Sequence, residues 1–170
     1  MGLDIHSFIE ISRNSGKTWE LDTKAPFKTD HFVTPDNPLP GQISMGRFPE
    51  MFWLMTGVMG IPINLKLNGI ERCILANNGL TGIPPPLRGL PVDTCDEIVK
   101  YWGWQAKEYP GCESGDAYPS WLTYTELRLI CDVYKRKRLG GLWGFRDVLR
   151  RMKNIEKRDW RARYVFWFSY

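Results

Sequence analysis

Residues 4 to 11 alternate, with Ile5, Ser7, Ile9 and Ile11 on one side of an extended chain and Asp4, His6, Phe8 and Glu10 on the other. Period two predicts a strand with one apolar face and one decorated face. Arg13-Asn14-Ser15-Gly16-Lys17 reads as a turn, and Thr18-Trp19-Glu20-Leu21 as the returning arm of a hairpin. Pro26, Pro35, Pro38 and Pro40 then remove backbone donors, which predicts a loop over residues 22 to 45. Beyond it the period changes. Phe48, Met51, Phe52, Met55 and Val58 recur at helical spacing and predict a short buried helix. Asn68-Gly69 lies between two alternating runs, Ile63 to Leu67 and Ile70 to Leu75, and supplies the positive φ angles of a tight hairpin turn.

The second half is more helical. Pro84-Pro85-Pro86 is stiff and extended, and Thr94 with Glu97 fits a capping box that opens a helix running to about Tyr109. Residues 111 to 120 read as loop. Thr123-x-x-Glu126 is a second capping box, before the stripe Leu127, Ile130, Cys131 and Tyr134. A third amphipathic helix spans residues 145 to 157 through Phe145, Val148, Leu149, Met152 and Ile155. The β-branched and aromatic run from Ala162 to Phe168 predicts a closing strand. Strands at both termini with helices between them give an α+β expectation: a small antiparallel sheet pairing the N- and C-terminal strands, three to four helices packed on it, and an inserted β-hairpin at about 62–76. At 170 residues, the chain is read as a single domain, 1–170.

Charge changes this picture in one place. Thirteen Lys/Arg against four Asp/Glu fall between residues 128 and 163, although the whole chain carries only +4. Such a segment fits an anionic partner, internal pairing, or a solvated helix face. Cys73, Cys95, Cys112 and Cys131 are scattered without a C-x-x-C pair, so reduced thiols are expected and a zinc site is not. No run approaches the ~18 apolar residues of a membrane span, and a signal-peptide pattern is missing; the expectation is a cytoplasmic protein with no membrane partner.

Five short stretches, taken in order, carry a resemblance. They are Gly2-Leu3-Asp4-Ile5-His6 with Glu10; Gly46-Arg47 leading to Phe52 and Gly57-Val58; Arg88-Gly89-Leu90-Pro91-x-Asp93; Ser120-Trp121-Leu122-Thr123 with Glu126-Leu127; and Val165-Phe166-Trp167-Phe168. The chain resembles small uncharacterised proteins of bacteriophages and bacteria that begin Met-Gly-Cys-Asp-Ile-His. That resemblance implies a phage-like setting, hence the host cytoplasm, and a set of positions rather than an activity. Two departures stand out: Leu3 replaces the usual Cys, and Ala117-Tyr118-Pro119 replaces a stretch that carries one or two His. A metal site built in relatives from those histidines with Asp4 and His6 would lack half its ligands here.

The candidate site residues are Asp4, His6, Arg47, Arg88, Asp93, Tyr118, Ser120 and Trp121. Asp4 and His6 share a strand face about 6.6 Å apart along the backbone and can line one pocket, with Arg163 or Trp167 across the sheet; the competing reading is an ordinary strand with a polar face under a loop. Gly89, Arg88 and the following helix start form an anion cradle; the competing reading has Arg88 paired with an acid such as Asp93. Trp102, Trp104, Tyr109, Tyr118 and Trp121 around a polar loop suit stacking on a base; the alternative is that Trp102 and Trp121 fill core between helices. Arg146, Arg150, Arg151 and Lys153 form a basic surface that could lie on phosphates, without an accompanying DNA-binding motif.

These features lead to a phage-type protein that binds and sequesters a nucleotide-derived small molecule, a host immune signal being one concrete version. One alternative is a metal-assisted nucleotide hydrolase using Asp4 and His6. Another is an inhibitor that binds a host protein or nucleic acid through the basic C-terminal helix. Binding is favoured over catalysis, no cofactor or metal is expected, nucleic acid ranks behind a small molecule as partner, and a homo-oligomer is compatible with the sequence.

Overall fold

The structure is a computed structural model and describes residues 4–25, 42–44, 55, 88–108, 119–136 and 144–169. Along the chain come β1 (Asp4–Ser12), β2 (Glu20–Leu21), β3 (Gln42–Ser44), α1 (Asp96–Glu108), β4 (Ser120–Thr123), α2 (Tyr124–Arg136), α3 (Phe145–Glu156) and β5 (Arg161–Ser169). The terminal strands pair antiparallel over their full length, from Asp4 opposite Ser169 to Ser12 opposite Arg161. The fold is α+β. β5 fills one edge of β1, so β2 and β3 share the other, at Glu10–Ile11 and Asp4–His6 respectively, and β4 closes the far side of β5.

Alternation along β1 and β5 sorts the side chains into two cores. On one face Ile5, Ile9, Ile11, Tyr164, Phe166 and Phe168 pack with Leu127, Ile130, Cys131 and Tyr134 of α2 and with Phe145, Val148, Met152 and Ile155 of α3. Those helix residues recur at three- and four-residue spacing, which puts each set on a single stripe. The opposite face carries Phe8, Val165 and Trp167 under Cys95, Ile98 and Tyr101 at the start of α1. The strand face read as decorated is therefore also interior: every residue from Ala162 to Phe168 is buried. Each fully buried large apolar side chain contributes about 1.5–3 kcal/mol, so the paired terminal strands anchor both layers.

Local chemistry explains the element ends. Ser12, Asn14 and Thr18 close the turn after β1: Asn14 Oδ1 accepts from Ser12 Oγ (2.9 Å) and Thr18 N–H (3.0 Å), while Gly16 N–H donates to Ser12 Oγ (2.8 Å). Gly16, at φ 92°, occupies a backbone region that suits glycine. β4 runs into α2 without a linker. There the capping box forms, with Thr123 N–H donating to Glu126 Oε2 (2.8 Å) and Glu126 N–H to Thr123 Oγ (3.3 Å). Thr123→Ala is expected to lower stability by about 1 kcal/mol; a urea midpoint equal to that of the parent protein would show that the box contributes nothing.

Several expectations are corrected. Ser120, read as the end of a loop, opens β4 (Ser120–Thr123), and 42–44 form β3 inside the proline-rich segment, because strands of four and three residues are too short to show a period. β2 is two residues rather than four. The Thr94–Glu97 box gives way to a long-range cap: Thr94 Oγ donates to Glu10 Oε1 (2.7 Å), and α1 begins after Cys95. The helix expected around residues 48 to 58 lies outside the described residues except for Met55, which is helical and buried in the larger core. The inserted hairpin at 62–76 lies wholly outside them. Among the described residues no helix is long and apolar enough to cross a membrane.

Candidate functional site

Glu10, Arg163 and Asp93 join the sheet to the start of α1. Glu10 and Arg163 face each other across β1 and β5, and Arg163 Nε donates to Glu10 Oε2 (2.5 Å) while its Nη1 donates to Asp93 Oδ1 (2.6 Å). Glu10 is 0% exposed, and its Oε1 accepts from both Thr94 Oγ and the Cys95 backbone N–H (2.6 Å). An internal carboxylate thus fills the helix N-terminus, where unpaired N–H groups favour negative charge. Burial pushes the Asp93 carboxyl up, but the hydrogen bond and charge of Arg163, with a smaller contribution from Trp19, hold it below the ordinary range. Asp93 remains 49% exposed, so solvent screens much of that effect. The Nη2 of Arg163 is buried without a hydrogen-bond partner.

Indoles and guanidiniums alternate around this pair. Arg163 lies 4.0 Å over the Trp19 ring and 5.9 Å from that of Trp121, whose ring also carries Arg88 at 4.1 Å. Arg88 forms a two-point pair with Glu126, Nη2 to Oε1 at 2.5 Å and Nη1 to Oε2 at 3.1 Å, and donates again to the Trp121 carbonyl. Its backbone N–H donates to the buried Ser120 hydroxyl (3.2 Å). The pairing expected between Arg88 and Asp93 is replaced by Arg88–Glu126 and Arg163–Asp93. The acid that closes the α2 capping box stands nearer to Arg88. Among the described residues two guanidiniums face three carboxylates here, Glu10, Asp93 and Glu126, and these give the anion cradle drawn around Arg88 no surplus positive charge.

His6 belongs to a second cluster, about 13 Å along β1 from Glu10 and separated from it by Phe8. Its ring is 5% exposed, stacks on Trp167 (centroids 5.8 Å, 15°) and sets Nδ1 3.2 Å from the Tyr101 hydroxyl. Trp102 meets Trp167 edge-on at 5.0 Å. Of the two cross-sheet partners expected for Asp4 and His6, Trp167 stands opposite His6, whereas Arg163 stands opposite Glu10, four residues further along β1. Asp4 stands opposite Ser44 and Ser169 in the backbone ladder, and its side chain lies outside the described residues, as does that of Trp104. Arg47, Tyr109 and Tyr118 also lie outside them. Among the described residues no group of three His, Cys, Asp or Glu could hold a metal ion.

The basic helix divides its cations. Arg151 turns toward the sheet and pairs with buried Asp22, Nε to Oδ2 at 2.7 Å and Nη2 to Oδ1 at 2.8 Å. That corrects its assignment to the basic surface: position 151 lies about 140° around the helix from 146, near the apolar stripe rather than the outer face. Arg146, Arg150, Lys153, Lys157 and Arg158 are exposed. Arg150 shares its charge with Asp147 (2.6 Å) in an exposed pair of little energetic weight.

Glu10, Thr94, Trp19 and Arg163 carry the best-connected polar cluster, and the candidate set omitted all four. A signal existed: Arg163 is the one charged residue within the apolar run from Ala162 to Phe168, and an arginine buried there requires a partner. No family model matches the chain, and neither a curated protein nor a solved structure matches it.

Proposed function

We propose that this chain is a binding protein whose partner is a polyanion laid along α3. One observation carries this reading: Arg146, Arg150, Lys153 and Lys157 are exposed at spacings of four, three and four residues, opposite the buried stripe of Phe145, Val148, Met152 and Ile155. At 100° and 1.5 Å per residue those cations span an arc of about 60° and a length of about 16 Å, and Asp147, paired with Arg150 in an exposed contact, lies beside the row rather than within it. A linear set of point charges suits a linear set of anions, and in the phage-like setting that the resemblance implies such a partner would be a host protein or nucleic acid. The triple variant Arg150→Glu/Lys153→Glu/Lys157→Glu is expected to keep its melting temperature, because the three side chains are exposed. Its affinity for polyanions should fall about tenfold or more, with a shallower dependence on salt concentration. Unchanged affinity for nucleic acid and for acidic polypeptide alike would refute the reading.

A second reading rests on the indole–guanidinium ladder of Trp19, Arg163, Trp121 and Arg88 and on the unspent Nη2 donor of Arg163. Planar π surfaces beside guanidiniums suit a nucleobase, so a nucleotide-derived small molecule, sequestered from host signalling, would be held there by stacking and hydrogen bonds rather than by net charge. Calorimetry with cyclic and ADP-ribose-derived nucleotides should then show micromolar binding that Trp121→Ala removes. Absence of heat for every such ligand rejects this second reading.

A further inference from the structure

The cationic row does not end with the helix. Lys157 closes α3, with its N–H donating to the Lys153 carbonyl (3.0 Å), and Arg158 and Asp159 turn the chain back toward β5. Asp159 adopts φ 59°, the left-handed conformation that commonly stops a helix, and Trp160 follows it at the mouth of the strand. Two guanidiniums lie on this indole: Arg13, from the turn after β1, at 4.7 Å and Arg158 at 5.4 Å from the ring centroid. Arg13 also pairs with Glu20 at 3.0 Å, an exposed contact, whereas Arg158 is exposed with no ion pair among the described residues. Arg161 adds a further exposed cation, lying along Gly16 in the same turn. Among the described residues, the acids that pair with these cations or adjoin them in the chain are Glu20, Glu156 and Asp159, against the cations Arg13, Lys157, Arg158 and Arg161.

A half-buried indole bearing exposed, planar guanidiniums is chemistry for stacking, and the lysines and arginines beside it are chemistry for phosphate. Part of the ring packs against the larger core, and an acidic protein surface would use the charges but not the part that remains exposed. A nucleic-acid duplex would offer phosphates but keep its bases stacked inside. Only a single strand presents both groups to one surface. We propose that the polyanion is single-stranded nucleic acid, with a base stacked on the Trp160–Arg158–Arg13 cluster and its phosphates following Lys157, Lys153, Arg150 and Arg146. This rests on the reading of α3 as the binding surface.

The test uses the full chain and three labelled probes: an oligothymidylate, a duplex of the same length and an oligoglutamate, titrated by fluorescence anisotropy at several salt concentrations. The single strand should bind more tightly than the duplex. Trp160→Leu should weaken it about tenfold without changing the salt slope, and Trp160→Phe should recover most of the loss because a ring remains. Arg158→Gln, at an exposed position that cannot unfold the protein, should weaken the single strand and leave the duplex unaffected. Equal binding of single strand and duplex, with Trp160→Leu and Arg158→Gln both neutral, overturns the stacking proposal while the α3 row stands. Binding of oligoglutamate alone overturns it in favour of an acidic protein partner. If the α3 charge-reversed triple variant binds all three probes as the parent does, the underlying reading fails as well.

Discussion

Replacing Arg163 by methionine is expected to destabilise the fold by about 3–5 kcal/mol, the usual consequence of removing one partner from a buried ion pair. The loss does not come from attraction alone. Glu10 is completely buried, and without the guanidinium its charge keeps only Thr94 Oγ and the Cys95 N–H as donors. Those two hydrogen bonds hold the start of α1 against the sheet, so the layer containing Ile98 and Tyr101 should loosen along with the strand pair. The double variant Glu10→Leu/Arg163→Met should be less damaging than the two single changes added together, because an apolar pair leaves no buried charge. Urea midpoints for the parent, both single variants and the double variant give the coupling directly. An Arg163→Met protein within about 1 kcal/mol of the parent would mean that the pair is replaced by water without consequence.

How far the sequence reveals such a cluster depends on chain separation. The terminal strands are legible because Ile5, Ile9 and Ile11 alternate and the Ala162–Phe168 run has no other use than a buried strand. α3 is legible because its apolar and charged residues segregate at the helical period. The polar face of β1 is not: Glu10 finds its partners 84, 85 and 153 residues away, and nothing local distinguishes a capped, buried glutamate from a wet one. Arg88 illustrates the same limit. The nearby Asp93 is the obvious partner by distance along the chain, yet Glu126 is placed by the α2 capping box and offers both carboxylate oxygens to the guanidinium fork. Arg151 differs again, since its position around α3 was calculable from the sequence and only the buried Asp22 waiting beneath it was not.

A second large effect is expected in alkaline solution. Burial pushes the Cys95 and Cys131 thiols up to about 12 from an ordinary 9.0, with the Glu10 carboxylate adding to the shift at Cys95 and Asp132 at Cys131. Well below the ordinary value of 9.0 both folded and unfolded chains hold these protons, and the thiols contribute no pH dependence. Above it the unfolded chain releases them while the folded chain retains them, so the unfolded state binds fewer protons and stability falls as pH rises. The two thiols together should remove about 2–3 kcal/mol between about pH 8 and pH 10, at 1.36 kcal/mol per unit for each. Tyr164 reinforces the trend at higher pH: its phenol is wholly buried, and burial raises its pKa by more than the neighbouring Ser7 hydroxyl lowers it. Urea midpoints across this range should flatten in the Cys95→Ala/Cys131→Ala variant, which begins less stable at neutral pH because two buried side chains are shortened. Parallel pH profiles for the parent and the double variant would place the alkaline sensitivity elsewhere, in the lysines, and would mean that the thiols ionise in the fold as readily as outside it.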